Sequence, residues 1–195
     1  MEIIIPWLMA MLPLTISPGP ANTMYAASGA AFGWKKTIPL WFGINCVCIL
    51  QTLLIGIGLG EALFRYPAIA DLFKYAGITF MVYLAYRFIR STGIKEGEAE
   101  PLNFKDGAIL EFLNFKFLMI PTVMYTQFLD PESSKWLQVL ILGLGLNLLN
   151  MSGHWVWIIA GNSLTKIFQS NRAMKIQGYI FGGMLLVVAI WMGLS

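Results

Sequence analysis

Six stretches dominated by apolar residues, most of them about 20 residues long, restrict the fold of this chain more than any other feature of its sequence. They cover residues 3–31, 38–59, 69–89, 107–129, 137–160 and 176–194. A helix crosses the roughly 30 Å hydrocarbon core of a bilayer with about 20 such residues. We therefore predict an all-α integral membrane protein with six transmembrane helices, folded as a single transmembrane domain over residues 1–195.

The composition agrees with a membrane location and excludes several other classes of protein. Hydrophobic residues make up 57% of the chain and charged residues only 12%, whereas a soluble domain is about 25% charged. This excludes an ordinary soluble enzyme, a disordered segment and a nucleic-acid-binding domain. Cys46 and Cys48 lie two residues apart within an apolar stretch, which favours neither a disulfide framework nor a metal site. We expect no metal and no cofactor.

The basic residues predict the orientation in the membrane. If the six stretches cross alternately, the face that holds the N-terminus carries three basic residues, Arg65, Lys74 and Lys135. The opposite face carries ten, namely Lys35, Lys36, Arg87, Arg90, Lys95, Lys105, Lys116, Lys166, Arg172 and Lys175. Because cytoplasmic loops are enriched in Lys and Arg, we predict that both termini lie outside and that residues 90–106 form a polar cytoplasmic loop. A chance bias is the alternative.

The first apolar stretch is interrupted by Ser17, Pro18, Gly19 and Pro20. Two prolines remove two backbone donors and clash with the preceding turn, so an unbroken helix is implausible here. We predict a break, followed by a helix that begins at Pro20. The free N–H groups at such a helix start bind anions, a carboxylate for example, and Asn22 lies beside them. In the alternative interpretation, neighbouring helices satisfy a simple kink.

The fourth stretch is interrupted in a comparable place, around Asn114 and again near Pro121. Asn114 follows Ser17 by 97 residues, which is half the length of the 195-residue chain. The chain is therefore predicted to consist of two three-helix halves, about 1–97 and 98–195, whose first helices are both broken. An odd number of crossings inverts one half relative to the other, as in many transporters with a binding site between broken helices.

Further polar residues occur within the apolar stretches. Lys116 lies roughly ten residues into the fourth stretch, where a charge must face protein, water or the interface; it either binds solute or extends to the interface. Asn147, Asn150 and His154 share one helix face by their i, i+3, i+7 spacing. That face either lines an aqueous path or binds another helix. No Asp or Glu is expected deep in a stretch, so proton movement would use His154, Lys116, water or the backbone.

These motifs resemble those of the LysE/RhtB family of amino-acid exporters, over nearly the whole chain. The family's first helix carries Pro-Gly-Pro, as does Pro18-Gly19-Pro20 here. Its third helix carries a Lys-x-x-Gly-x-x-Tyr-Leu-x-Tyr-Leu-Gly-like pattern, which residues 74–85 follow with Phe and Ala substituted. Its fourth helix opens with Asn-Pro-Lys, but Phe115 replaces the proline in this chain. Its fifth helix often carries an acidic residue, where this chain has Gly153 and His154.

The resemblance implies a multi-pass protein of a bacterial-type plasma membrane that exports an amino acid or related small solute and forms a homodimer. We therefore expect a secondary active exporter of a small zwitterionic metabolite, not an enzyme, driven by protons or by the membrane potential. Its partners would be the solute and the lipid bilayer, without nucleic acid. The residues expected to bind substrate are Ser17, Pro18, Gly19, Pro20, Asn22, Asn114 and Lys116, and those expected to line the path or carry protons are Asn147, Asn150 and His154.

Two other functions are compatible with parts of the sequence. A non-transporting scaffold or accessory subunit would share the helices but bind no solute. A thiol redox carrier would need cysteines close to both helix breaks, whereas Cys46 and Cys48 both lie in the second stretch and point to different helix faces.

Overall fold

The regular structure of the chain is helical throughout the part that is described. A computed structural model describes residues 3–59, 66–91, 100–130, 132–167 and 171–194. The α-helices in these ranges are α1 (Ile4–Ile16), α2 (Pro20–Leu54), α3 (Pro67–Ser91), α4 (Phe104–Phe112), α5 (Phe115–Phe128), α6 (Lys135–Ile167) and α7 (Asn171–Leu194). A π-helical turn, Ile55–Leu59, follows α2.

The lengths and apolar character of the helices support a multi-pass membrane protein. Two segments are long and apolar enough to cross a bilayer by themselves, Pro20–Gly58 with 39 residues and Lys135–Ser163 with 29. A third candidate is the pair α4 and α5, whose axes are bent by 59° at the intervening break. The coarse prediction of a helical membrane protein is confirmed, while six crossings in two inverted halves stay a prediction.

Helix α6 has its apolar face outward and its polar face inward, opposite to a helix in a soluble protein. Its exposed face carries the large apolar residues Leu137, Leu140, Ile141, Leu144 and Leu148. The buried face carries Asn147, Asn150 and His154, each at most 5% exposed. Exposed apolar surface of this extent indicates contact with lipid, and polar residues within a membrane face the protein interior.

Glycines bring α2 unusually close to α6 and α4. At four positions, an added Cβ would lie within 2.5 Å of a backbone oxygen of the facing helix: Gly29, Gly43, Gly107 and Gly161. Gly29 and Gly161 lie between α2 and α6, and Gly43 and Gly107 lie between α2 and α4. Small residues allow this approach in membrane helices. Helix α3 packs mainly against α7, beside this central group.

The first two predicted spans are separated at Gly33, which lies inside α2 with the non-helical angles φ 80° and ψ 164°. The chain folds back there, because Ser28 Oγ lies 3.0 Å from Thr37 Oγ1 and Asn45 Nδ2 donates to Tyr25 Oη at 3.3 Å, contacts that a continuous helix would prevent. A residue with a side chain rarely adopts this backbone conformation, which glycine tolerates.

Both predicted interruptions are present. Helix α1 ends at Ile16, and α2 begins at Pro20 after an extended Gly19. Helix α4 ends at Phe112, and α5 begins at Phe115. Pro121 lies within α5, which continues past it; the fourth span is therefore broken at Asn114 alone and without a proline.

Candidate functional site

The side chain of Lys116, in the first turn of α5 directly after the second helix break, reaches the first break. Its Nζ donates to the carbonyl oxygen of Ser17 at 2.8 Å and to that of Pro18 at 3.3 Å. The side chain also packs on Gly19, where an added Cβ would lie 2.7 Å from Lys116 Cδ. Lys116 therefore faces protein and joins the two halves of the sequence.

The carbonyl groups at the end of α1 are satisfied by side chains. Asn22 Nδ2 donates to Thr15 O at 2.8 Å and to Ser17 O at 2.9 Å. Trp157 Nε1, from α6, donates to Ile16 O at 3.0 Å. The last turn of a helix leaves such acceptors unpaired, and here the protein supplies the donors.

The N–H groups at the start of α2 are not satisfied in the same way. Gly19 is the N-cap and no side chain caps it. Thr23 N–H bonds to Gly19 O, whereas the N–H groups of Ala21 and Asn22 have no protein acceptor within the described residues. Asn22 is 4% exposed, and its Oδ1 also lacks a partner there. Unpaired donors and a buried acceptor therefore lie together at one helix N-terminus, which carries partial positive charge.

The second break is capped more completely. Asn114 Oδ1 accepts from Phe117 N–H at 3.4 Å, and its Nδ2 donates to Glu111 Oε2 at 2.9 Å. Gln51 Nε2 donates to the carbonyl oxygens of Glu111 and Phe112 at 3.1 and 3.3 Å. The side chain of Asn114, expected to bind substrate, is therefore engaged in capping α5 and holding Glu111.

A narrow cavity of about 20 Å³ lies between the breaks, which is room for about one ordered water. It is lined by Thr15, Gly19, Pro20, Ala21, Asn22, Glu111, Asn114, Lys116, Phe117, Ile120, Asn150 and His154. Five of the seven residues expected to bind substrate line it; Ser17 and Pro18 do not. This cavity will be called the central cavity.

A second cavity of about 620 Å³ lies on the other side of Lys116. It is lined by Leu14, Ser17, Pro18, Asp71, Lys74, Phe115, Lys116, Met119, Ile120, Val123 and Trp191. Sites for small molecules usually measure about 300–1,000 Å³. This space, called the vestibule below, therefore admits an amino acid in the described state, whereas the central cavity must widen before it can do so. Lys116 and Ile120 line both cavities.

The polar face of α6 is divided between the central cavity and helix packing. Asn150 and His154 line the cavity, but Asn147 does not; its Nδ2 donates to Gly143 O at 2.8 Å. His154 Nδ1 lies 3.2 Å from Asn45 Oδ1, and its ring centroid lies 4.5 Å from that of Tyr25. The three residues lie on one buried face, as their spacing predicts, and Asn147 takes part in helix packing; that the face lines an aqueous path stays a prediction.

Glu111 corrects the expectation that no acid lies deep in an apolar stretch. Its side chain is fully buried and lines the central cavity. Glu111 lies only a few residues after the start of the fourth apolar stretch. This place in the sequence predicts a position near the membrane interface. The break shortens α4 to Phe104–Phe112, so the end of this short helix, and Glu111 with it, lies beside the first break. Cys48, which the sequence did not indicate as functional, donates to Glu111 Oε1 at 3.1 Å.

Nearly the whole chain matches a known protein family. The model of the family described as LysE type translocator matches residues 12–195. The chain belongs to the LysE family. It is therefore a transporter and not an enzyme, and the predicted membership of the LysE/RhtB-type family is confirmed.

Curated relatives of this LysE-family protein match most of its length. The cysteine/O-acetylserine efflux proteins of Escherichia coli (strain K12) and Shigella flexneri serotype 5b (strain 8401) are each 25% identical over 164 residues, covering 83% of this chain and 84% of theirs. No solved structure matches the chain. Within the described residues, no group of three or more His, Cys, Asp or Glu side chains could hold a metal ion.

Proposed function

We propose that this LysE-family protein exports a small zwitterionic amino acid from the cytoplasm of a bacterium, and that the cargo binds where the two helix breaks meet. The observation that carries the proposal is the set of unpaired groups at the start of α2: the N–H groups of Ala21 and Asn22 and the buried Oδ1 of Asn22. Helix N-termini bind carboxylates, and Asn22 Oδ1 is an acceptor for the cargo's ammonium group.

Lys116 adds a positive charge at the carboxylate end of this site. Its ammonium group is held by the carbonyl oxygens of Ser17 and Pro18; these oxygens are neutral, so a cargo carboxylate competes for it with a full negative charge. A carboxylate adds the Coulomb attraction between two full charges to the hydrogen bond, which a neutral carbonyl oxygen does not supply. Cargo binding therefore moves Lys116 off the two carbonyl groups and opens the path between the central cavity and the vestibule.

The positions of the glycine contacts support an alternating-access cycle. Backbones of facing helices are in contact at four glycines, Gly29, Gly43, Gly107 and Gly161. All four lie towards the membrane face that holds Gly33. The vestibule instead includes Asp71, near the start of α3, and Trp191, near the end of α7. The bias of basic residues favours a cytoplasmic location for the Gly33 face. We infer that the described state is closed towards the cytoplasm and that the vestibule is the exit, with both termini outside.

The proposal also covers the conformational change, the driving force, the oligomeric state and the cargo of the exporter. Two inverted three-helix halves would rock around the fixed site, driven by protons or by the membrane potential, in a bacterial inner membrane. The family resemblance further implies that the protein forms a homodimer. Among cargos, cysteine and O-acetylserine come first to test, because the relatives from Escherichia coli and Shigella flexneri bear those names.

An efflux assay tests the proposal. Cells preloaded with a mixture of amino acids, cysteine and O-acetylserine included, should release at least one of them faster when they produce the protein. The same solute should raise the melting temperature of the purified protein in detergent in proportion to its concentration, because ligands stabilise the state they bind. Unchanged efflux of every solute, together with no thermal shift, would favour the non-transporting scaffold.

A further inference from the structure

Glu111 is the one fully buried carboxyl group among the described residues, and the proposed binding of cargo does not use it. It lies in the last turn of α4, at the second helix break, with an exposed fraction of 0%. It also lines the central cavity together with Lys116 and His154. A buried acid inside a membrane protein is costly to keep and commonly belongs to a proton or ion path.

The hydrogen bonds of Glu111 hold its carboxyl group without neutralising it. Oε1 accepts from Cys48 Sγ at 3.1 Å, and Oε2 accepts from Asn114 Nδ2 at 2.9 Å. The ion pair found among the described residues joins Arg87 to Asp106 and does not include Glu111. An ionised carboxylate enclosed by protein needs a counter-charge, and both of its donors here are neutral.

The titratable groups around Glu111 come from three helices. Helix α2 contributes Cys48 and Tyr25, α5 contributes Lys116 and α6 contributes His154. Lys116 is directed to the carbonyl oxygens of Ser17 and Pro18, and His154 to Asn45. Neither basic side chain donates a hydrogen bond to Glu111, although Lys116 lies near enough across the central cavity to attract its carboxylate. A proton that enters through this cavity can neutralise the carboxylate directly.

We propose that Glu111 carries the proton that drives export; this rests on the proposed function. In the outward-facing state, after cargo has left through the vestibule, one proton enters by the same route and binds the carboxylate to give a neutral carboxyl group. In the inward-facing state the carboxyl group releases that proton to the cytoplasm. One proton then moves in for each cargo molecule that moves out, and Cys48 and Asn114 position the carboxyl group throughout.

Two measurements on the full chain test this proposal. Infrared difference spectra of the protein in lipid, recorded over a pH titration, should contain a protonated-carboxyl band that burial shifts away from the band of the exposed carboxyl groups, and Glu111→Gln should remove this shifted band. Glu132→Gln, which changes an exposed carboxyl group near the start of α6, should keep the band. This measurement needs no cargo. A wild-type spectrum without the shifted band at any pH, or a shifted band that survives in Glu111→Gln, overturns the proposal.

Transport in proteoliposomes separates proton coupling from cargo binding, with radiolabelled cysteine, kept reduced, as the probe. Wild-type protein should exchange cysteine across the membrane without a gradient, and a pH gradient should drive net movement. Glu111→Gln should continue to exchange but lose the response to the gradient, whereas Glu132→Gln should keep both. A variant that still follows the gradient, or a folded variant that loses exchange as well, contradicts the role of Glu111. Absence of exchange in the wild-type protein contradicts instead the proposed transport of cysteine.

Discussion

Lys116 and Ser17 lie 99 positions apart in the chain, and the Lys116 ammonium donates to the Ser17 carbonyl oxygen at 2.8 Å. The contact joins the end of the first half's broken helix to the start of the second half's α5. It also separates the central cavity from the vestibule, since Lys116 lines both. A single mobile side chain at this place can both bind an anionic cargo and close its path.

Replacing Lys116 by Met removes the ammonium group but keeps most of the apolar side chain. A hydrogen bond to a charged group contributes about 1.5–3 kcal/mol, so we expect efflux to fall roughly tenfold to a hundredfold. Efflux from preloaded cells, normalised to the amount of protein in the membrane, measures the effect. Lys135→Met, at an exposed lysine at the start of α6, is the matched control and should transport normally. Equal efflux by the two variants would exclude Lys116 from the site.

Gly19→Ala should displace Lys116 without unfolding the protein. Gly19 has φ −174° and ψ −179°, an extended conformation open to alanine. The new Cβ would lie 2.7 Å from Lys116 Cδ and 3.0 Å from Nζ, and this flexible side chain can move. We expect reduced efflux with a melting temperature close to that of the wild type. Gly183→Ala, where nothing lies within 4 Å of an added Cβ, should leave both unchanged; normal efflux by Gly19→Ala would show that the close packing is dispensable.

The first break could be predicted from the sequence because its cause is local. Pro18, Gly19 and Pro20 together strongly disfavour a continuous helix, whatever surrounds them, and the observed helix begins at Pro20. The polar face of α6 was predictable for a similar reason, since the spacing of Asn147, Asn150 and His154 alone puts them on one side of a helix. The partners of these residues depend on tertiary packing, and the sequence does not give them.

The glycine contacts between α2 and α6 predict where a small substitution destabilises the fold. In Gly161→Ala, the added Cβ would lie 2.0 Å from the backbone oxygen of Ala26, and neither backbone can move without separating the helices. Overpacking of this kind costs about 1–3 kcal/mol. Thermal unfolding in detergent should report a lower melting temperature than for Gly153→Ala, whose Cβ would contact only the side chain of Ile16 at 3.6 Å. Equal melting temperatures would contradict the close approach of α2 and α6.

The cysteines allow a test of the thiol redox carrier. Cys46 is exposed and Cys48 is buried against Glu111, so the two thiols face different surroundings, as their spacing predicts. Cys46→Ser should leave efflux unchanged. Cys48→Ser should keep efflux comparable with wild type, because a serine hydroxyl can donate to Glu111 as the thiol does. Loss of efflux in both single variants would point to thiol chemistry and against the export mechanism proposed above.

The burial of Glu111 beside the first helix break could not be predicted from the sequence alone. Counted along an unbroken fourth helix, Glu111 would lie near the membrane interface. The missing proline at Phe115 made the second break hard to locate, and Pro121 suggested a later one. Once α4 ends at Phe112, the acid lies beside the first break, although Glu111 and Pro18 are 93 positions apart in the sequence. This depends on the pairing of the two halves, which no local pattern encodes.

Accessibility of the vestibule tests the orientation and the direction of export together. In a background of Cys46→Ser and Cys48→Ser, Met119→Cys puts a thiol on the vestibule wall. A membrane-impermeant maleimide added to intact cells should label it, and cargo should slow the labelling. Leu148→Cys lies on the exposed apolar face of α6 and should remain unlabelled, because lipid covers that face. Labelling of Met119→Cys only in inverted membrane vesicles would reverse the orientation, and the vestibule would then be the entrance for cargo and not its exit.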